Sequence, residues 1–487
     1  MKEQSIKINA VLNVIRQCCS ILFPIITYPY IFRILGAANL GRYSFGDSVI
    51  QYVILLAELG VTTYAVREGA GLRQDKKAFN TFASEVFTIN VLSMLVSYVL
   101  LIILVIAIPR FNQEKEIIAI LSVEVFAVVI GREWLNTVNE DFRYMTVRYI
   151  VIQFIMLVAM FLLIKKSDDY LIYSAIAMGG YSLGFFVNVF YSRRYAPLRM
   201  TWKPNIRKHI SPIMYLFCST VAINIYVHSD ILILGFYESN EQIGYYTVAT
   251  KVYIVVKAVL NAITMVAIPR LSAYASNGEK EKYNHLLQNM RKWLYTLILP
   301  SIVGLWCLSR SILELLGGSA DYAAGLDSLH LLSLALFFAV FGCFYAQGIL
   351  IPNKKENVFF WATVISAVMN IVLNLIVIPF MGITGAALTT LIAEILILGI
   401  CWYKSRSLHD RYDNKDVISS LAGCVVILGV CLLIRKAGLS SLLELIVSMA
   451  VAVPLYFFVL YIAGNSVIKD MTATLLYKLK RNNRSGS

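Results

Sequence analysis

Apolar runs of about twenty residues succeed one another almost from end to end of this chain, and nothing else in it restricts the fold so tightly. Fourteen are predicted, at 9–35, 42–66, 79–108, 116–138, 142–164, 170–192, 209–236, 242–268, 287–309, 326–351, 357–379, 382–403, 416–435 and 440–463. A hydrocarbon core about 30 Å thick takes roughly 20 apolar residues per crossing helix, so each run is long enough to span it. The runs are too continuously apolar for the alternating strands of an outer-membrane barrel. The expected fold is an all-α polytopic membrane bundle. Its composition agrees, with 59% hydrophobic and 15% charged residues over 487 positions and a mean hydropathy of +0.70.

The first run contains Arg16 and is followed by no small-residue cleavage site, so it reads as a retained helix and not a signal peptide. The eight cysteines, at 18, 19, 218, 307, 343, 401, 424 and 431, all fall inside runs, and no CxxC occurs. Buried thiols are expected, not disulfides or a metal site.

The net charge of +14 is distributed unevenly. Loops and the run ends beside them hold 31 Lys and Arg on the side of the N-terminus and 9 on the opposite side. That is the positive-inside pattern, so both termini are expected in the cytoplasm, with contact to anionic lipid and none to nucleic acid. The remaining three cations, Arg16, Lys251 and Lys257, lie inside runs. A charge there costs roughly 2.5–3.5 kcal/mol even on lenient scales, so each needs a partner, a cavity or a function.

One junction is written twice. RILGAANLGRYSF (33–45) links predicted helices 1 and 2, and LILGFYESNEQIGYYTV (232–248) links predicted helices 7 and 8. Gly36 and Gly235 are 199 apart and Gly41 and Gly244 are 203 apart, so the second link is four residues longer. An offset of six helices preserves orientation and makes a parallel repeat. The expected plan is an N-lobe (1–192, helices 1–6), a basic linker (193–208), a C-lobe (209–403, helices 7–12), helices 13 and 14 (404–464) and a basic tail (465–487). The linker either lies along the cytoplasmic interface or is merely topogenic.

Polar residues form stripes on the first two helices of each lobe. Helix 1 carries Asn9, Asn13, Arg16, Gln17 and Ser20 at steps that share one face. Helix 2 carries Tyr43, Asp47, Gln51 and Glu58, with Arg42 at its external mouth. Helix 7 adds Asn224, His228 and Asp230, and helix 8 adds Thr250, Lys251, Lys257, Asn261 and Thr264. These stripes imply a central cationic cavity suited to an anionic ligand, because guanidinium matches phosphate oxygens and Lys supplies a mobile point charge. The alternative for Arg16 is a clamp with Asp47 or Glu58; Lys257 has no acid on its own helix. The two hairpins also differ in charge, which suggests an external gate pairing Arg42 with Glu241.

Glu58, Glu124, Asp230 and Glu394 are candidates for coupling to a proton or sodium gradient, against the plainer reading of hydrogen-bonded packing carboxyls. No Walker A motif, metal-ligand cluster or catalytic constellation is present in the sequence, so neither an enzyme nor a cofactor is expected.

Three stretches carry a family resemblance: YPYIFRILGAANLGRYSFGDSV in helices 1–2, EWLNTVNEDFRYMTVRYIVIQ at 133–153, and MNIVLNLIVIPFMGITGAALTTLIAE at 369–394. Together they resemble the polysaccharide or O-antigen flippases (Wzx type), in the superfamily that also holds lipid II flippases and multidrug and toxin extruders. The resemblance implies transfer of an undecaprenyl-diphosphate-linked oligosaccharide to the outer leaflet of a bacterial cytoplasmic (inner) membrane by alternating access. It assigns Arg16, Arg42, Lys251 and Lys257 to the diphosphate, and a polysaccharide polymerase and chain-length regulator as partners. The rival functions are a cation-coupled multidrug extruder, which would want an acidic cavity, and a non-transporting scaffold for glycan assembly.

Overall fold

The computed structural model describes residues 6–197, 199–408 and 415–472, and among them all regular structure is helical, with no strand. In chain order the helices are α1 (Ile6–Glu58), α2 (Val61–Leu72), α3 (Lys76–Ala107), α4 (Pro109–Gln113), α5 (Lys115–Gly131), α6 (Trp134–Val138), α7 (Phe142–Leu163), α8 (Tyr170–Tyr191), α9 (Ile206–Tyr237), α10 (Asn240–Ser276), α11 (Lys280–Gly317), α12 (Leu326–Cys343), α13 (Glu356–Ser405), α14 (Lys415–Lys436) and α15 (Ser441–Ile462).

The described residues hold ten helical stretches long and apolar enough to cross a membrane. α5, at 17 residues, and α9 stand at the predicted runs 116–138 and 209–236 but outside those ten. α1 is 53 residues long and breaks at Gly36 (φ 71°, ψ 170°), which separates predicted helices 1 and 2. α13 breaks likewise at Gly382 (φ 54°), just after Pro379, between predicted helices 11 and 12. A residue with a Cβ enters that backbone region at a cost that glycine escapes.

Two predicted runs are cut short. Run 42–66 stops at Glu58, because Leu59 (φ 48°) and Gly60 (φ 71°) turn the chain left-handed ahead of α2. Run 116–138 stops at Gly131, where Arg132 (φ 46°) turns the chain toward α6. Apolar residues continue through both turns, so hydropathy alone passed over the breaks.

The chain forms two compact units, 1–247 and 248–487. In the first, Phe45, Ile50, Phe87, Phe111, Ile117 and Leu121 make one buried cluster across α1, α3, α4 and α5. Tyr64, Phe82, Trp134, Leu135 and Ile213 make a second, which also buries Ala196 of the basic linker. Arg194 and Tyr195 of that linker both bond Asp141. In the second unit, Leu308, Ile427, Tyr456 and Leu460 join α11, α14 and α15, and the same helices line an apolar cavity of about 730 Å³. Val96, Ile106, Leu162, Phe190, Val266 and Phe380 stand exposed on outer faces, where only lipid tails would leave them content. The seven described cysteines are free thiols.

The duplicated junctions meet within the first unit. A Cβ at Gly41 would collide with the Asn240 carbonyl, and one at Gly244 would collide with the Ala37 carbonyl. A Cβ at Gly235 would likewise strike the Phe45 ring. Two of the glycines that mark the repeat, Gly41 and Gly244, are therefore the points at which its two copies pass backbone against backbone.

Candidate functional site

α5 ends at Gly131 because Arg132 is left-handed, and Asn188 of α8 caps the turn by donating to the Gly131 carbonyl at 2.6 Å and to Asn136 Oδ1 at 2.8 Å. The turn sets Arg132 and Glu133 side by side at the edge of a cavity of about 420 Å³, inside the first unit. α1 supplies Arg16 and Glu58 to that cavity, and α7 supplies Arg148 and Tyr149.

Glu133 is the hub. Its Oε1 lies 3.2 Å from Arg16 Nη1, and its Oε2 lies 2.7 Å from Arg148 Nη2. Arg16 also lies over the Tyr149 ring at 5.6 Å. Arg132 is buried, and its guanidinium donates to Ser192 Oγ at 3.2 Å and to the Pro197 carbonyl at 3.4 Å. Its Nε, and Nη1 of Arg148, are buried and have no hydrogen-bond partner among the described residues. Glu58 accepts from Thr62 Oγ1 at 3.2 Å. Three guanidinium groups thus face two carboxyls.

Arg16 and Glu58, both singled out in the sequence, share this cavity, but Arg16 pairs with Glu133 instead of the expected Asp47 or Glu58. Asp47 accepts from Gln51 at 3.2 Å. Glu124 is buried, with the Asp47 charge acting on it. Gln17 is exposed. The side chains of Asn13 and Asn224 lie outside those described, and His228 is half-buried. Asp230 is buried and accepts from the Tyr246 hydroxyl at 2.8 Å.

The expected Arg42–Glu241 gate is not the pair that forms. Arg42 Nε lies 2.8 Å from Glu114 Oε2, whose side chain is 2% exposed, while Glu241 is exposed. A buried carboxylate needs counter-charge far more than a solvated one, and Arg110 also converges on it at 3.5 Å. Arg110 in turn donates to the Gly235 carbonyl at 2.7 Å and to Asn240, tying the second junction to the first.

In the second unit, Lys257 does find an acid, on another helix. Its Nζ lies 2.6 Å from Glu394 Oε1 of α13, and Tyr253 donates to the same oxygen at 2.9 Å. A proposed anion ligand and a proposed coupling acid are thus each other's partners. Lys251 is half-buried, and Asn261 Oδ1 is buried without a partner among the described residues.

Sequence reasoning missed Arg132, Glu133 and Arg148. The two arginines were counted with the loop charges, although both fall inside predicted runs, and that position was the available signal. It also passed over His209, which is buried between Tyr64 Oη at 2.7 Å and Glu85 Oε2 at 2.9 Å.

Residues 6–275 match the family described as "Polysaccharide biosynthesis protein". The chain is 20% identical over 400 residues to a protein of Escherichia coli (strain K12) named "Putative O-antigen transporter", covering 81% of this chain and 95% of that one. It is similar in fold to the structure titled "Lipid II flippase MurJ, inward closed conformation", with a TM-score of 0.74 at 16% identity over 96% of this chain and 99% of that one. It is also similar in fold to an inward-facing multidrug resistance transporter of the MATE family and MOP superfamily, with a TM-score of 0.57 at 15% identity over 78% of this chain and 94% of that one. The family match runs through more than half of the chain, from the start of α1 to the last turn of α10, and on that extent the chain belongs to the polysaccharide biosynthesis protein family.

Proposed function

We propose that this chain is a flippase that carries a lipid-linked polysaccharide precursor across the bacterial cytoplasmic membrane. The observation that carries the reading is the arginine-rich cavity of Arg16, Arg132 and Arg148, set inside a unit whose outer faces are apolar. Burying one hydroxyl without a hydrogen bond costs on the order of 4–8 kcal/mol against alkane, so a sugar headgroup needs a polar route. The family membership and the relative named as an O-antigen transporter support the same reading.

In its finer form, the substrate is an undecaprenyl-diphosphate-linked oligosaccharide, moved from the cytoplasmic to the outer leaflet by alternating access for capsule or O-antigen synthesis. Both termini face the cytoplasm, among anionic lipids, and a proton or sodium gradient drives the cycle, with Glu58, Glu124, Asp230 and Glu394 as coupling candidates. The apolar cavity between α11, α14 and α15 offers room for part of a lipid chain. A polymerase and a chain-length regulator would take up the product. An excess of guanidinium repels cationic drugs, which counts against the multidrug extruder.

Deleting the gene in its own host is expected to abolish surface glycan and to leave lipid-linked precursor on the cytoplasmic leaflet, both read by gel and by leaflet-selective labelling. Arg16→Ala, expressed at normal level, is expected to cut the restored glycan by about tenfold or more. Unchanged surface glycan after deletion would sink the reading.

A further inference from the structure

We infer that Glu133 is an internal stand-in for a phosphoryl group, and that a diphosphate displaces it to bind between Arg16, Arg132 and Arg148. The inference rests on the flippase reading for the source of that diphosphate.

The geometry around Glu133 is that of an anion site already filled by the protein. Each carboxylate oxygen takes one guanidinium, from Arg16 of α1 at 3.2 Å and from Arg148 of α7 at 2.7 Å. Phosphate oxygens are recognised in the same way, by guanidinium forks from separate elements. The carboxylate leaves the site underused. Its two oxygens are spoken for, yet Nη1 of Arg148, whose side chain is only 8% exposed, has no hydrogen-bond partner of good geometry, only the neighbouring Tyr144 hydroxyl, which is itself buried and unsatisfied. Arg132, at 2% exposure, keeps Nε without a partner, and its two contacts are long. Buried guanidinium N–H groups are almost always paired, so two orphans lining one cavity point to a ligand with more acceptor oxygens than a carboxylate has. The second acid does not meet this need, because among the described residues Glu58 accepts from Thr62 and bonds none of the three arginines.

A diphosphate supplies the missing acceptors and the missing charge. It would replace Glu133 between Arg16 and Arg148 and reach the free N–H groups of Arg132 and Arg148. Glu133 then has a definite task. It keeps Arg16 and Arg148 placed and paired when no ligand is bound, and it competes for them when one is. A carrier has to let its cargo go, and an internal competitor weakens binding without loosening the site. Removing the charge of Glu133 while keeping its shape should therefore tighten diphosphate binding and slow export. A purely structural Glu133 would do the opposite to binding, because its loss would scatter the arginines.

The test uses the full chain in nanodiscs of phosphatidylcholine, with two probes: inorganic pyrophosphate in solution and undecaprenyl diphosphate in the bilayer. Glu133→Gln is expected to bind diphosphate about tenfold more tightly than wild type by calorimetry, and Arg148→Lys about tenfold more weakly. Preference for undecaprenyl diphosphate assigns the lipid headgroup as ligand, and equal binding of pyrophosphate assigns a soluble phosphate. Equal or weaker binding by Glu133→Gln overturns the inference. Should that variant not fold, Arg16→Gln, on the most exposed of the three arginines, is expected to lose about tenfold in pyrophosphate affinity at unchanged melting temperature, and unchanged affinity overturns the inference instead. Glycan export by the same strains separates the two claims. Normal export with no gain in Glu133→Gln tells against the stand-in alone, whereas a wild type that binds diphosphate but restores no glycan tells against the flippase.

Discussion

Lys257 and Glu394 show how single residues were legible while their partnership was not. Each stood out in the sequence, because a charge inside an apolar run is costly wherever it lies. Their meeting depends on how α10 and α13 pack, and the two residues are 137 positions apart. The pair sets a prediction. Lys257→Met strands a carboxylate with 4% exposure and should cost on the order of 3 kcal/mol, whereas the double variant Lys257→Met/Glu394→Gln should regain most of it. Thermal unfolding in detergent measures both; a double variant no more stable than the single would show that the charges do not compensate each other. Arg132 and Arg148 failed in the opposite direction, since topology counting absorbed them as loop charges and only packing placed them in a cavity.

At the level of elements, the apolar runs located the helices because lipid leaves no alternative to continuous apolar segments of that length. The ends were less legible. Arg132 ends α5 through its backbone angle, and no residue pattern announces a left-handed arginine. The repeat was visible in its glycines, yet what those glycines do was not, because the charge contrast that suggested the two copies meet carried no sign of a backbone contact at Gly41 and Gly244. Gly244→Val inserts a side chain where the Ala37 carbonyl already lies, and overpacking of this kind typically costs about 1–3 kcal/mol. The expected outcome is a lower melting temperature and reduced export, while the same change at Gly399, where a Cβ meets open space, should leave both near wild type. Equal behaviour of the two variants would remove the crossing as a constraint.

For the whole molecule, the all-helical membrane fold was legible from composition and run length, and the division at residue 247 was not, because it falls inside the continuous helix α10. The asymmetry of Lys and Arg makes a prediction about orientation. In a cysteine-free background, a cysteine at Glu238 should react with an impermeant thiol reagent added to whole cells, and one at Asn277 should react only after the membrane is opened. Reversed labelling would invert the topology.

The crossing of Gly41 and Gly244 bears on a danger that any such carrier faces. A polar cavity within a membrane invites ions to leak through it, and the cavity around Glu133 lies at one end of α5 while the Glu114 cluster lies at the other, about 25 Å away for a 17-residue helix. At that far end two backbones touch without an intervening side chain, and Arg42, Arg110 and Asn240 close around one buried carboxylate. The duplicated junction thus packs the far end of the first unit with backbone and paired charge, and its glycines are what let the two stretches of chain approach so closely.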